Sequence, residues 1–268
     1  MQNTSAYIEV KNLTKVYSIT DKKSDGSIYK KSHTIFENIN FYANTKETTL
    51  LTGKSGCGKS TLLNYLATID NEFESGELNV ENTKITRNTN FLKKFFCDYK
   101  RAAFRRKSVG FIFQSHMLLP DFTILENCMT PFIARGYINT KNEKLSTTEF
   151  SNLALKEIKK WFDIVELDYS NLYKYPNELS GGQQQRVAII RGIVHKPNLL
   201  ISDEPTASLD DFTAIKIIEK ISDFVKENHI CHIVVTHQTS LYDSIKSAHY
   251  HFEKESAKPA TLTEVFRK

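Results

Sequence analysis

The run Gly53-Lys54-Ser55-Gly56-Cys57-Gly58-Lys59-Ser60-Thr61 constrains this chain more than any other stretch. An apolar run, Thr48-Thr49-Leu50-Leu51-Thr52, leads into it, and a helix-like run, Thr61-Leu62-Leu63-Asn64-Tyr65-Leu66-Ala67, follows. Strand, glycine-rich loop and helix N-terminus in that order form an anion cradle. Successive backbone N–H groups and the positive end of the helix dipole face one point. Glycines are needed there because a Cβ would block phosphate oxygens or forbid the backbone angles. Lys59 has the reach for β- and γ-phosphates, and the Ser60 hydroxyl suits Mg²⁺. A glycine-rich turn that binds nothing is the competing reading.

A chain of 268 residues suits one large domain or two small ones and has ample material for a core. The net charge of +5 is too mild to indicate a nucleic-acid partner, and none is expected. The cysteines (Cys57, Cys97, Cys128, Cys231) are scattered with no C-x-x-C pair, which fits a reducing compartment. The opening residues lack the basic end and apolar run of a secretory signal, and no stretch approaches a membrane-spanning length. A membrane process would therefore be served from the cytosolic side, through partners.

Residues 7–16 alternate like a half-buried strand ending at Tyr17, and residues 34–41 alternate again. Two early strands outside a nucleotide core predict an antiparallel platform beside a parallel sheet. The intervening 18–31, rich in Lys, Ser, Asp and Gly, reads as a solvated loop. Tyr17 could fold over an adenine ring or pack on its own sheet. Residues 91–107 carry seven Lys or Arg and one Asp among five aromatics. This basic helix either lies on anionic lipid, through residues such as Arg105 and Arg106, or simply turns its aromatics to the core. Residues 109–113 form a short buried strand with Gln114 at its end, a candidate metal or water ligand. The middle third reads as helical, a separate lobe inserted into the nucleotide fold, with 139–148 as a polar connector.

Leu179-Ser180-Gly181-Gly182-Gln183-Gln184-Gln185-Arg186 opens a second helix, capped by Ser180, whose free N–H groups make another anion-binding end. A buried strand at 198–202 then delivers Asp203 and Glu204 at its C-terminal edge, where α/β folds bind ligands. Adjacent carboxylates there need a cation. Asp203 reads as a Mg²⁺ anchor and Glu204 as the group that orients or deprotonates water. The strand at 232–236 ends in His237, which could touch a γ-phosphate. The neighbouring His229, Cys231 and His232 suggest a metal cluster, but their spacing alternates faces and no fourth ligand is evident.

Assembled, these motifs resemble the ATP-binding cassette family over nearly the whole chain. Residues 53–61 match Walker A, Gln114 the Q-loop, 179–186 the signature and 199–204 Walker B. Ser208-Leu209-Asp210 matches the D-loop, His237 the switch histidine, and Tyr17 the adenine-stacking aromatic. The resemblance implies an α/β P-loop NTPase (RecA-like) core with an antiparallel β subdomain and an inserted α-helical subdomain. The single cassette would place its core at about 1–113 and 187–268, and its helical part at about 114–186. It further implies an ATPase using ATP and Mg²⁺. Ser60, Gln114 and Asp203 would serve the metal, and Glu204, His237, Gln114 and Lys59 the catalysis. Nucleotide contacts would come from Tyr17, Gly53, Lys54, Ser55, Gly56, Cys57, Gly58, Lys59, Ser60, Thr61, Asp203 and Asp210, and from Ser180, Gly181, Gly182 and Gln183. A head-to-tail homodimer would sandwich two ATP molecules, and an integral membrane permease would be the partner at the cytoplasmic face of the membrane.

Residues 114–127 are similar to the branch containing lipoprotein-releasing, macrolide-exporter and cell-division cassettes. Ser208 replaces that branch's usual Asn, Lys54 stands where Pro is common, 18–31 and 87–103 are longer than typical, and 252–265 lacks the usual glycine-bearing hairpin. Transport through a permease is the leading expectation. The alternatives are mechanical signalling of the cell-division type and a soluble cassette acting on ribosomes or DNA.

Overall fold

Two sheets meet behind the glycine-rich loop in the computed structural model, which describes residues 7–22, 28–70, 72–81, 83–85, 91–136, 145–245, 247–254 and 258–267. In chain order the elements begin β1 (Ile8–Lys22), β2 (Ile28–Ala43), β3 (Glu47–Gly53), α1 (Lys59–Leu66), β4 (Ser75–Val80) and β5 (Thr83–Ile85). Next come α2 (Phe91–Ser108), β6 (Val109–Ile112), α3 (Ile124–Arg135), α4 (Thr147–Ile164) and α5 (Gly181–Ile193). The chain closes with β7 (Leu199–Asp203), α6 (Asp211–Glu227), β8 (Cys231–Val235), β9 (Ser247–Glu253) and β10 (Thr261–Arg267).

The antiparallel sheet runs β2-β1-β4-β5 and the larger sheet β10-β9-β3-β8-β7-β6. Within the larger one, neighbours from β9 to β6 pair in parallel, and β10 adds an antiparallel edge. The expected platform beside a parallel sheet is therefore present. The central strands are buried on both faces, by α1 and the antiparallel sheet on one and by α5 and α6 on the other. β8 is buried from end to end.

The two sheets share one core, in which Phe41 packs on Tyr250 and Phe36 on Tyr65 and Phe252. They are also joined through backbone: the Ala260 N–H donates to Ile35 O at 2.9 Å, and the Glu37 N–H to Ala260 O at 3.3 Å. A second core lies among the helices, with Trp161 of α4 edge-on to Phe224 of α6 at 5.0 Å. Reciprocal capping boxes start α3 (Thr123 with Glu126) and α4 (Ser146 with Glu149), satisfying N–H groups that the first turn leaves free. α5 lies hard against β6: a Cβ built on Gly110 would meet the Gly192 carbonyl oxygen at 2.0 Å.

Three expectations change. Residues 18–22 and 28–31 are not a loop; they lengthen β1 and β2 into a long hairpin, paired as far as Lys22 with Ile28. Antiparallel pairing bonds alternate backbone groups of the two strands whatever the side chain's polarity, and Ile19, Thr20 and Ile28 favour extended backbone. Residues 23–27 lie outside the described residues, as do 86–90 of the second long segment and 137–144 of the polar connector. The C-terminal segment does form a hairpin, β9 with β10, without any glycine in it. Finally, Arg105 is not free for lipid, because its guanidinium donates to the Thr68 carbonyl at 2.6 Å and docks α2 beyond the end of α1.

Candidate active site

β3 ends at Gly53, the loop turns, and Gly58 starts α1 with φ 107°. A Cβ on Gly58 would meet Ile35 and Phe36 at 2.9 and 3.1 Å, so backbone angle and packing both require glycine. A cavity of about 350 Å³ opens over the α1 N-terminus. Ser55, Gly56, Gly58, Lys59, Ser60 and Thr61 line it from the loop and α1. Asp203 reaches it from the last position of β7, and Gln114, Glu204 and His237 from just beyond β6, β7 and β8. Four separate stretches of sequence thus converge at the C-terminal edge of the parallel strands.

Lys59 is buried, and its ammonium donates to the carbonyls of Gly53 (2.6 Å) and Lys54 (2.9 Å). Glu204 has φ 47°, an uncommon conformation for a residue with a side chain, held by its N–H donating to Val235 O at 2.9 Å. Its Oε1 is buried without a hydrogen bond and lies 3.7 Å from His237 Nε2. Burial raises the Glu204 carboxyl above its ordinary range against the pull of His237, and burial likewise raises Asp203 against Lys59 and His237. Ser60, Gln114 and Asp203 present hydroxyl, amide and carboxylate oxygens, a donor set of the hard kind that Mg²⁺ takes.

The remaining candidates stand elsewhere. Cys57 is buried under the loop with Sγ 3.9 Å from Lys59 Nζ. Gly53 and Lys54 line a neighbouring cavity of about 380 Å³ with Thr52, Thr236, His237, Thr239, His249 and His251. Tyr17 is half-exposed outside the 350 Å³ cavity, and the ammonium of buried Lys15 sits 4.4 Å from its ring centroid. Ser180 caps α5 and exchanges bonds with Gln183, the Gln183 N–H donating to Ser180 Oγ at 3.3 Å and the Ser180 N–H to Gln183 Oε1 at 2.9 Å. Neither these two nor Gly181 and Gly182 line the cavity around Lys59. Asp210 caps α6 by accepting the Thr213 N–H at 3.0 Å, which holds its carboxyl below the usual range.

His229, Cys231 and His232 do not converge, and among the described residues no three His, Cys, Asp or Glu form a metal-holding group. His232 is buried between Thr48 Oγ1 (3.2 Å) and Ser202 Oγ (3.0 Å), and burial drives its pKa down to about 3, so it stays neutral. Sequence reading missed the cavity walls Ile35 and Val235. It also missed the Thr52 hydroxyl, which lies 2.8 Å from both His249 Nε2 and His251 Nδ1. Strand pairing brings Val235, Thr52, His249 and His251 to the loop, and packing of the two sheets brings Ile35, so no local pattern marks them. The i, i+2 histidines of β9 were the one signal on offer.

The sequence profile of the ABC transporter family matches residues 36–207. The lipoprotein-releasing system ATP-binding protein LolD of Pseudoalteromonas translucida is 35% identical over 91% of this chain and 91% of its own length. The corresponding protein of Buchnera aphidicola is 34% identical over 87% and 91%. Among solved structures, a dimer of the bacterial ABC transporter cassette MJ0796 superposes with a TM-score of 0.71 at 30% identity, covering 91% of this chain and 93% of that one. The same cassette in a post-hydrolysis dimer with ADP and Pi gives 0.73 at 28%, covering 96% and 98%.

Proposed function

The chain belongs to the ABC transporter family, and from that membership we propose that it powers a separately encoded membrane permease in lipoprotein release or a related efflux. It is a nucleotide-binding ATPase. The observation that carries the proposal is the single cavity at which the loop, Gln114, the Asp203–Glu204 pair and His237 meet. The names of the relatives support lipoprotein release. Among the described residues no helix is long and apolar enough to cross a membrane, which suits a chain held at the cytoplasmic face by its partner.

In this reading the backbone N–H groups of residues 55–61 and the Lys59 ammonium take the β- and γ-phosphates of ATP. Lys59 gives up the Gly53 and Lys54 carbonyls to do so. Ser60, Gln114 and Asp203 would hold Mg²⁺, which when bound would offset charge on the phosphates. Glu204 accepts a proton from the water whose oxygen bonds the γ-phosphorus, His237 steadies the γ-phosphate, and ADP leaves with the terminal P–O bond broken. Tyr17 stacks on adenine. Ser180, Gly181, Gly182 and Gln183 belong to the site of a second copy, whose γ-phosphate they meet head-to-tail beside Asp210. The groove between the helical part and the loop carrying Gln114, where Met117, Leu119 and Phe122 are exposed, receives a cytoplasmic helix of the permease.

Affinity purification of the chain from detergent-solubilised membranes tests the assignment. Co-elution with a membrane-spanning chain that raises its ATPase rate is expected. Recovery with ribosomes and no membrane protein would overturn it.

A further inference from the structure

Ser208 occupies a junction that the roles above do not explain. Its hydroxyl lies 3.4 Å from His116 Nε2. Its carbonyl oxygen abuts Gly182, where a built Cβ would approach it to 3.2 Å. Just upstream, the Gln185 amide of α5 donates to Pro205 O at 2.7 Å, so the segment 205–208 is seated on the start of α5. His116, for its part, follows Gln114 by two residues in a turn where both His116 (φ 60°) and Met117 (φ 48°) adopt left-handed backbone. Such a turn persists only when its surroundings hold it. Here Arg191 of α5 does so, donating one guanidinium nitrogen to His116 O at 2.6 Å and the other to Met117 O at 2.5 Å. Asn127, fully buried, fixes the next stretch by accepting the Leu119 N–H and donating to the carbonyls of Leu119, Phe122 and Thr123.

We propose that the His116–Ser208 contact, backed by the Arg191 fork, locks the loop carrying Gln114 to the Ser180–Gly182 turn, and that His116, Ser208 and Arg191 are positioning residues for ATP hydrolysis. One chain then presents two half-sites in fixed relation: Gln114 to its own nucleotide, and the α5 turn to the nucleotide of a second copy. A displacement at either is transmitted to the other and to exposed Met117 through bonded contacts. The inference rests on the roles given above to Gln114 and Ser180.

The test is a double-mutant cycle on ATP turnover by the full chain with His116→Asn and Ser208→Ala. Asn tolerates a left-handed backbone, so His116→Asn removes the ring nitrogen without straining the turn. Each single variant is expected to bind ATP within about twofold of wild type and to lose about fivefold in kcat, the worth of one hydrogen bond. The double variant is expected to lose no more than either single one. Arg191→Lys, which keeps the charge but cannot hold two carbonyls, is expected to lower kcat with KM unchanged. Melting temperatures within about 2 °C of wild type show that folding is intact. Losses that multiply in the double variant, or single variants with wild-type kcat, overturn the junction. Gln114→Ala measured alongside tells the two failures apart: wild-type kcat in Gln114→Ala overturns the role given to Gln114 and the inference with it, whereas a loss of kcat there beside wild-type kcat in the single His116 and Ser208 variants overturns the junction alone.

Discussion

Glu204 combines a left-handed backbone, a buried oxygen without a hydrogen bond and a raised carboxyl, the combination expected of a group kept ready for a proton. Glu204→Gln should keep ATP binding and abolish turnover, with the chain trapped as an ATP-bound dimer on size-exclusion chromatography; wild-type rates in that variant would contradict the role. Because the raised carboxyl must be ionised to accept a proton, the acid limb of kcat should lie above the ordinary carboxylate range. A stopped assay between about pH 5 and pH 8 reads this directly. Lys59→Ala removes the cation from the cradle and should instead lose nucleotide affinity, by titration with a fluorescent ATP analogue. His232 gives a pH dependence of opposite origin. Its folded pKa of about 3 lies below the unfolded 6.5, so the unfolded chain binds the proton more readily. Stability is therefore complete above the unfolded value and declines as pH falls toward the folded one. The denaturation midpoint should drop between about pH 7 and pH 5, and His232→Gln should flatten that drop.

Among the elements, α5 carries the most constraints. Its inner face meets β6 through Gly110 and Gly192, where backbone approaches backbone with no room for a methyl group. Gly110→Ala should cost about 3 kcal/mol by overpacking, measured as a shift in urea midpoint at constant slope. Its outer end is a helix cap, and Ser180→Ala should cost only about 1 kcal/mol of stability. A far larger loss of turnover in that variant would separate the cap's structural role from its role toward ATP. The phosphate loop, the Asp203–Glu204 strand end and the capped Ser180 turn were legible in the sequence, because each is a local string whose residue types carry their own geometry. The long β1–β2 hairpin was not, because its polar residues resemble a loop and only the pairing of Lys22 with Ile28 reveals the ladder. Val235 and the Thr52–His249–His251 cluster were hidden for a related reason, reaching the nucleotide loop by lateral pairing between distant strands, and Ile35 reaches it by the packing of the other sheet onto Gly58.

At the level of the whole molecule, Ser180 and Lys59 occupy different places in one chain, and the proposed dimer brings each to its counterpart on the other. Mixing a Lys59→Ala chain with a Ser180→Arg chain should then restore turnover that neither has alone, since one of the two composite sites is intact; no recovery at any ratio would contradict the head-to-tail arrangement. The Ala260 bonds to Ile35 and Glu37 bear on a different scale of behaviour. They fasten the antiparallel sheet to the C-terminal hairpin at the strand that walls the nucleotide cavity and backs Gly58. A proteolytic nick between Glu253 and Thr261 would unbuckle that fastening without touching any phosphate ligand. Weakened ATP retention, ahead of any global unfolding, would be its first symptom.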